Sequence, residues 1–240
     1  MAQTVDKVQE LQEQCGLGAR FIWQELRDLY GHVSCRLPSG DGFLLKFVRV
    51  GSDPTLDPRD IQVYDYQGKR VSGQDRDPTE LPIYTEIFRR RPDVQSIIHA
   101  HPHVATALSS TGKTIFAISH QSVDFGDGIP TFRGDMIDSV EIGAALAETL
   151  GNESAVLMKG HGIVVVGQSV PATVARAIYV EQAAKQQIWA SVVGTPEVMP
   201  KELRDYHSRV GWSGASFLWH QLAWEAKEGL NGHGSGGMLP

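Results

Sequence analysis

The chain has little cysteine, no long apolar run and no excess of positive charge, and each shortage removes a class of protein. Cys15 and Cys35 are the only cysteines among 240 residues. They are too few for the disulfide framework of a small secreted domain and suit a reducing compartment. No apolar stretch approaches the roughly 20 residues that a membrane-spanning helix needs. The opening MAQTVDKVQE is polar and partly acidic, unlike a secretory signal. A formal net charge of −6 gives no electrostatic case for nucleic acid or an anionic membrane. A cytoplasmic globular protein of ordinary composition is what remains, long enough to bury a substantial core.

Histidine is plentiful instead. Five of the nine lie between His99 and His161. His99-Ala-His101 ends the apolar run Val94–Ile98, and strand side chains two apart share a face, so both rings can reach one ion. His161 sits in the turn Lys159-Gly-His-Gly162, where glycine permits the backbone geometry that aims the ring. Neutral imidazole is a common ligand of divalent metals, and three protein ligands with an open position is the catalytic pattern.

Around these residues the pattern alternates between strands and helices. Apolar residues from Val5 to Leu29 recur at helical spacing, with Gly16 and Gly18 as a point of interruption and Gly31 as the stop. Strands are expected at 32–36, 43–48, 61–66, 70–71, 94–101, 115–119, 155–158 and 163–166. Asp77-Pro-Thr-Glu80 reads as an aspartate N-cap, proline at the first helical position and glutamate at N3. That helix should run to Arg89-Arg-Arg91, a solvated cationic end stopped by Pro92. Further helices are expected at 102–110, 142–150, 171–193 and 212–227. One mixed α/β domain over residues 1–230 is expected, followed by a disordered glycine-rich tail over 231–240. His207, His220 and His233 read as surface or tail residues.

With Glu80, His99, His101 and His161 set beside Tyr30-Gly-His-Val-Ser-Cys-Arg36, Leu56-Asp-Pro-Arg-Asp-Ile61, Asp65-Tyr-Gln-Gly68, Arg91–Pro102 and Gly160-His-Gly162, the chain resembles the class II aldolase/adducin family over residues 5 to 195. The resemblance implies a three-layer α/β/α sandwich around a mixed, largely antiparallel sheet, and a homotetramer with active sites at subunit interfaces. It also implies a divalent metal ion, whether zinc, manganese, cobalt or iron, held by His99, His101 and His161, with Glu80 as a further ligand or the acid/base.

Two departures from the sugar-phosphate members narrow the expectation. Those members carry Gly-Asn where this chain has Gly31-His32, and a serine pair where it has Pro78-Thr79. Proline offers no donor to a phosphate. His120 stands about where the aldolases place a catalytic tyrosine. Both features resemble the branch that decarboxylates dihydroxyphthalate-like or pyridine-dicarboxylate acids in aromatic compound catabolism. The resemblance therefore implies catalysis by Glu80 and His120 and binding of a small carboxylate substrate by His32, Ser34, Arg36 and Lys46, with Arg133 a further cation. Aldol cleavage of an unphosphorylated hydroxy-keto compound is the alternative lyase. A non-catalytic adducin-like assembly domain is the alternative of another class, and it predicts missing metal ligands.

Overall fold

Short apolar and alternating runs form the strands, and the turns between them make the sheet mostly antiparallel. The computed structural model describes residues 2–48, 61–73, 76–134, 136–210 and 214–229. Its strands are β1 (His32–Arg36), β2 (Gly42–Phe47), β3 (Ile61–Asp65), β4 (Arg70–Ser72), β5 (Ser96–Ala100), β6 (Thr131–Phe132), β7 (Ala155–Met158) and β8 (Gly162–Gly167). They lie in one sheet in the order β4-β3-β2-β1-β5-β8-β7-β6. Every neighbouring pair is antiparallel except β6 and β7.

Two apolar clusters, one on each face of the sheet, make the three layers. One collects Cys15, Ala19 and Ile22 from α1 (Ala2–Leu26), Ala105 and Leu108 from α3 (His103–Ser110), and Val174, Ile178 and Ala184 from α5 (Val170–Val193). The other collects Ile83, Tyr84, Ile87 and Phe88 from α2 (Leu81–Arg90) and Leu146 and Leu150 from α4 (Val140–Leu150). Strand parity assigns the site to this second face: Ile97 belongs to its cluster and Ile98 to the first, so His99 points toward α2. His32 pairs with His99 across β1 and β5 and shares that face.

Several expectations changed in structure. α1 runs unbroken through Gly16 and Gly18. The proposed capping box before α2 does not form. Glu80 is itself the N-cap, with no side-chain cap bond, and Pro82 occupies the first turn. Asp77 instead accepts a hydrogen bond from the Tyr64 hydroxyl at 2.8 Å. Residues 115–119 pair with no strand, and a 3-10 helix, His120–Phe125, follows them. Short β6 and helix α6 (Lys201–Arg209) were not foreseen. The Ser139 side chain caps α4 by accepting from the Ile142 N–H. The final helix, α7, is Ala215–Lys227; Trp212, the Leu56–Asp60 part of the motif and the tail 231–240 lie outside the described residues.

Three of the substrate-binding expectations fall to structural roles. Arg36 donates to the carbonyls of Val94, Phe88 and Arg91 and to the Tyr66 hydroxyl. It therefore closes the C-terminal end of α2 and has no donor pattern left for a ligand. Lys46 is buried on β2 opposite Val33, on the face that packs α1, so the sheet separates it from His99. Ser34 is buried, and its hydroxyl donates to the Ile97 carbonyl at 3.0 Å. Arg133 is exposed just beyond β6.

Arg36→Met leaves those carbonyls without donors and should cost on the order of 3 kcal/mol of stability. Urea unfolding should register that loss, while metal affinity stays at the wild-type value.

Candidate metal centre

Four side chains from three parts of the fold converge on one point. His99 is the penultimate residue of β5, His101 lies just past the end of the strand, and His161 occupies the turn between β7 and β8. Gly162 allows that turn to close on β5: a Cβ there would stand 2.4 Å from the Ala100 carbonyl oxygen. Glu80 arrives from the start of α2, where a carboxylate also favours the helix dipole. One nitrogen or oxygen from each of Glu80, His99, His101 and His161 lies within 4.8 Å of the others.

The interior is arranged to leave ligand atoms facing that point. His99 is fully buried, and its Nδ1 is 3.0 Å from the Ile163 carbonyl. A carbonyl can only accept, so Nδ1 carries the proton and Nε2 keeps its lone pair. That Nε2 stands 3.0 Å from Glu80 Oε2, outside hydrogen-bond geometry, and has no other partner. A buried lone pair of this kind is the mark of a ligand atom. The Nε2 of His161 is 3.7 Å from the same carboxylate oxygen, and Glu80 Oε1 accepts from the Ile137 N–H at 3.2 Å. Three nitrogens and one carboxylate oxygen fit zinc, manganese, cobalt or iron(II).

The electrostatics follow from this crowding. Burial resists ionisation of Glu80, but His99, His161 and the Ile137 N–H outweigh it and bring its pKa down to about 2. Burial likewise resists a charge on His99, yet the Glu80 carboxylate raises its pKa above the ordinary value of 6.5. His32 has no such anion in contact. Burial, reinforced by His99, lowers its pKa to about 3 and keeps the ring neutral.

Two cavities flank the centre. One of about 460 Å³ has an apolar lining of Leu29, Tyr30, Phe47, Pro78 and Met136 and a polar one of His32, Arg76, Asp77, Thr79 and Glu80. The other, of about 660 Å³, is lined by Arg27, Asp28, Tyr30, His101, His103 and His161. Tyr30 is exposed and belongs to both, its ring edge-on to His101 at 6.4 Å between centroids. Among the described residues, the cations lining these two cavities are Arg76 and Arg27, which sequence patterning did not single out.

His120 is not part of this cluster within the chain. It lines a separate cavity with Tyr179, Met199 and Phe217, and its ring lies 4.1 Å from that of His207. His207, expected at the surface, is buried. Asp28 is the main residue that sequence reasoning missed. It is held 73 positions from His101, with a contact no local pattern displays.

Comparison with known proteins agrees with the fold. Residues 10–188 match the family described as Class II Aldolase and Adducin N-terminal domain. The chain is 29% identical over 181 residues to a 3,4-dihydroxyphthalate decarboxylase of Arthrobacter keyseri, covering 69% of this chain and 72% of that protein. It is 31% identical over 184 residues to decarboxylase tropJ of Talaromyces stipitatus, covering 67% and 68%. Among solved structures, an L-fuculose 1-phosphate aldolase from Glaciozyma antarctica superposes with a TM-score of 0.78 at 21% identity, covering 96% of this chain and 94% of that one.

A raised His99 pKa contributes stability that is full below pH 6.5 and is lost as pH rises past its folded value. The Tm gap between metal-free wild type and His99→Ala should therefore be wider at pH 6 than at pH 9. Metal ions need deprotonated imidazole, so the thermal shift produced by zinc or manganese should grow from pH 6 to pH 8. His99→Ala should abolish that shift at every pH.

Proposed function

The chain belongs to the class II aldolase and adducin family, and we propose that it is a metal-dependent carbon–carbon lyase that decarboxylates a hydroxylated aromatic or heteroaromatic acid. The observation that carries this reading is the lining of the smaller cavity. Beside Glu80 it presents Leu29, Tyr30, Phe47, Pro78 and Met136 with a neutral His32. That slot suits a planar ring, and Arg76 is the cation in its described lining, where Asp77 and Glu80 oppose a phosphate dianion. The relatives named as decarboxylases support the same choice.

A divalent ion held by His99, His101, His161 and Glu80 supplies Lewis acidity toward an ortho-hydroxy carboxylate and stabilises the negative charge that develops on its oxygens. Glu80 takes the proton of the substrate hydroxyl and delivers it to the ring carbon that bears the carboxylate, which puts the ring in its keto form. The bond from that carbon to the carboxylate then breaks, carbon dioxide leaves, and the electron pair moves to the ring oxygen as aromaticity returns. His120, recharged from solvent, supplies the proton that restores the hydroxyl. Arg76 is the cation for a second substrate carboxylate, in place of Arg36 and Lys46.

His120 is the second proton donor in this scheme. His120 lines a separate cavity within the chain, so this role has a neighbouring copy supply it, as in a homotetramer with active sites between subunits. The exposed apolar side chains Trp189, Val192 and Val193 on α5 and Phe217 and Trp224 on α7 support such assembly. Aldol cleavage of a small hydroxy-keto compound is the second reading, favoured by Thr79 and Arg76, which together can bind an oxyanion.

Carbon dioxide release from a panel of ortho-hydroxy aromatic mono- and dicarboxylates tests the proposal. Metal-loaded wild type should release it and His99→Ala should not. Arg76→Met should raise KM for dicarboxylates by about tenfold or more while sparing monocarboxylates. No release from any acid, together with cleavage of an aldol substrate, would move the chain to the aldolase branch.

A further inference from the structure

The chain leaves α1 by an unusual turn. Arg27 adopts φ +54°, the only positive φ at a non-glycine residue among those described, while its N–H still donates to the Trp23 carbonyl. A left-handed residue at a helix end is ordinarily glycine, and a strained one often marks a functional constraint. Here the turn delivers the next side chain, Asp28, inward until it is 1% exposed.

Every donor that meets the Asp28 carboxylate is an N–H. Oδ1 accepts from the Tyr30 N–H at 2.8 Å and the Gly31 N–H at 3.2 Å. Oδ2 accepts from the His101 N–H at 2.7 Å and lies 3.2 Å from His101 Nδ1. These bonds, chiefly those from His101, overcome the resistance of burial and hold the carboxyl down at a pKa of about 2. A carboxylate accepts only, so the ring must present Nδ1–H to it. The close fit extends to Gly31, where a Cβ would stand 2.7 Å from Asp28 Oδ2 and 2.9 Å from the His99 carbonyl oxygen. Glycine before His32 is thus required by the carboxylate behind it.

We infer that Asp28 is the positioning residue of the metal centre. It fixes the tautomer of His101 so that Nε2 is the ligand atom, and it pins the Tyr30–Gly31 backbone that borders both cavities. His99 has a backbone carbonyl at its Nδ1 where His101 has a carboxylate, which makes His101 the more basic donor of the two. One carboxylate thereby couples the ligand set to the rim over which substrate enters. The inference rests on the metal reading of the cluster and is independent of which bond is cleaved.

Glu181 provides the control. Its carboxylate, on α5, accepts from the Val104 and Ala105 N–H groups and so caps α3 from 76 residues away. It braces the same segment without touching a ligand. Binding of zinc and manganese to the metal-stripped protein should be measured by chelator competition in wild type, Asp28→Asn and Glu181→Gln, with the visible spectrum of each cobalt-substituted protein. Asp28→Asn should weaken both ions by about 10- to 100-fold and shift the cobalt bands. Glu181→Gln should lower Tm with affinity and spectrum unchanged. The 15N shifts of histidine in zinc-loaded wild type should show His101 protonated at Nδ1, a measurement that stands even if Asp28→Asn fails to fold. The inference is overturned by unchanged affinity and spectrum in Asp28→Asn, by an equal loss in Glu181→Gln, or by a proton on His101 Nε2. A wild type that binds neither ion overturns the metal reading as well.

Discussion

Glu80 and His99 stand 3.0 Å apart in the interior, and the rest of the structure is arranged to make that approach tolerable. A carboxylate and an imidazole buried together are costly unless each is paired and oriented. The sheet supplies the orientation of His99 through the Ile163 carbonyl, on the neighbouring strand β8. The start of α2 supplies the orientation of Glu80, with the Ile137 N–H holding its other oxygen. Neither partner could move without abandoning a backbone bond, so the cluster is set by the fold itself.

That dependence explains why charged residues near the site turn out to be scaffold. Arg36 binds the last carbonyls of α2 and the segment entering β5, so it ties the end of that helix remote from Glu80 to the sheet. Glu86 is buried and paired with Arg89 and Arg90, which ties the cationic end of α2 to its own helix. Arg91 extends the same role outward by donating to the carbonyls of Gly151 and Glu153 beyond α4. The helix pair that roofs the site is therefore stapled at one end by guanidinium groups, leaving the opposite end, at Glu80, for chemistry.

The same physics decides what could be read in the sequence. His99 and His101 were legible because strand periodicity is local, and the turn at His161 announces itself through its glycines. Glu80 was legible through the resemblance, and the competing structural reading fails: the capping box does not form, and the helix starts one turn later with Glu80 as its N-cap. Lys46 and Arg36 were misread because charge type is visible in a sequence while sheet face and hydrogen-bond partners are not. Lys46 lies on the far face only by virtue of its register with Val33. The strand expected at 115–119 has the right composition but no neighbour to pair with, since β6 at 131–132 occupies the sheet edge beside β7. Asp28 was illegible altogether, because its partner lies 73 residues away.

Charge balance joins these features to the chemistry. Glu80 and Asp28 are both held ionised near the centre, each with a pKa of about 2, while burial keeps His32 neutral. Two carboxylates without a counter-ion repel an anionic substrate, and a protonated His99 offsets only one of them. A dipositive ion matches the pair, and the three imidazoles then need no proton. In the reading proposed above, such an ion would leave the cluster and Asp28 together without net charge, and a substrate acid would be oriented by local features: Lewis acidity at the cluster, the cavity lined by Tyr30 and Phe47, and the guanidinium of Arg76. Asp28 would then supply the second carboxylate on which that balance depends.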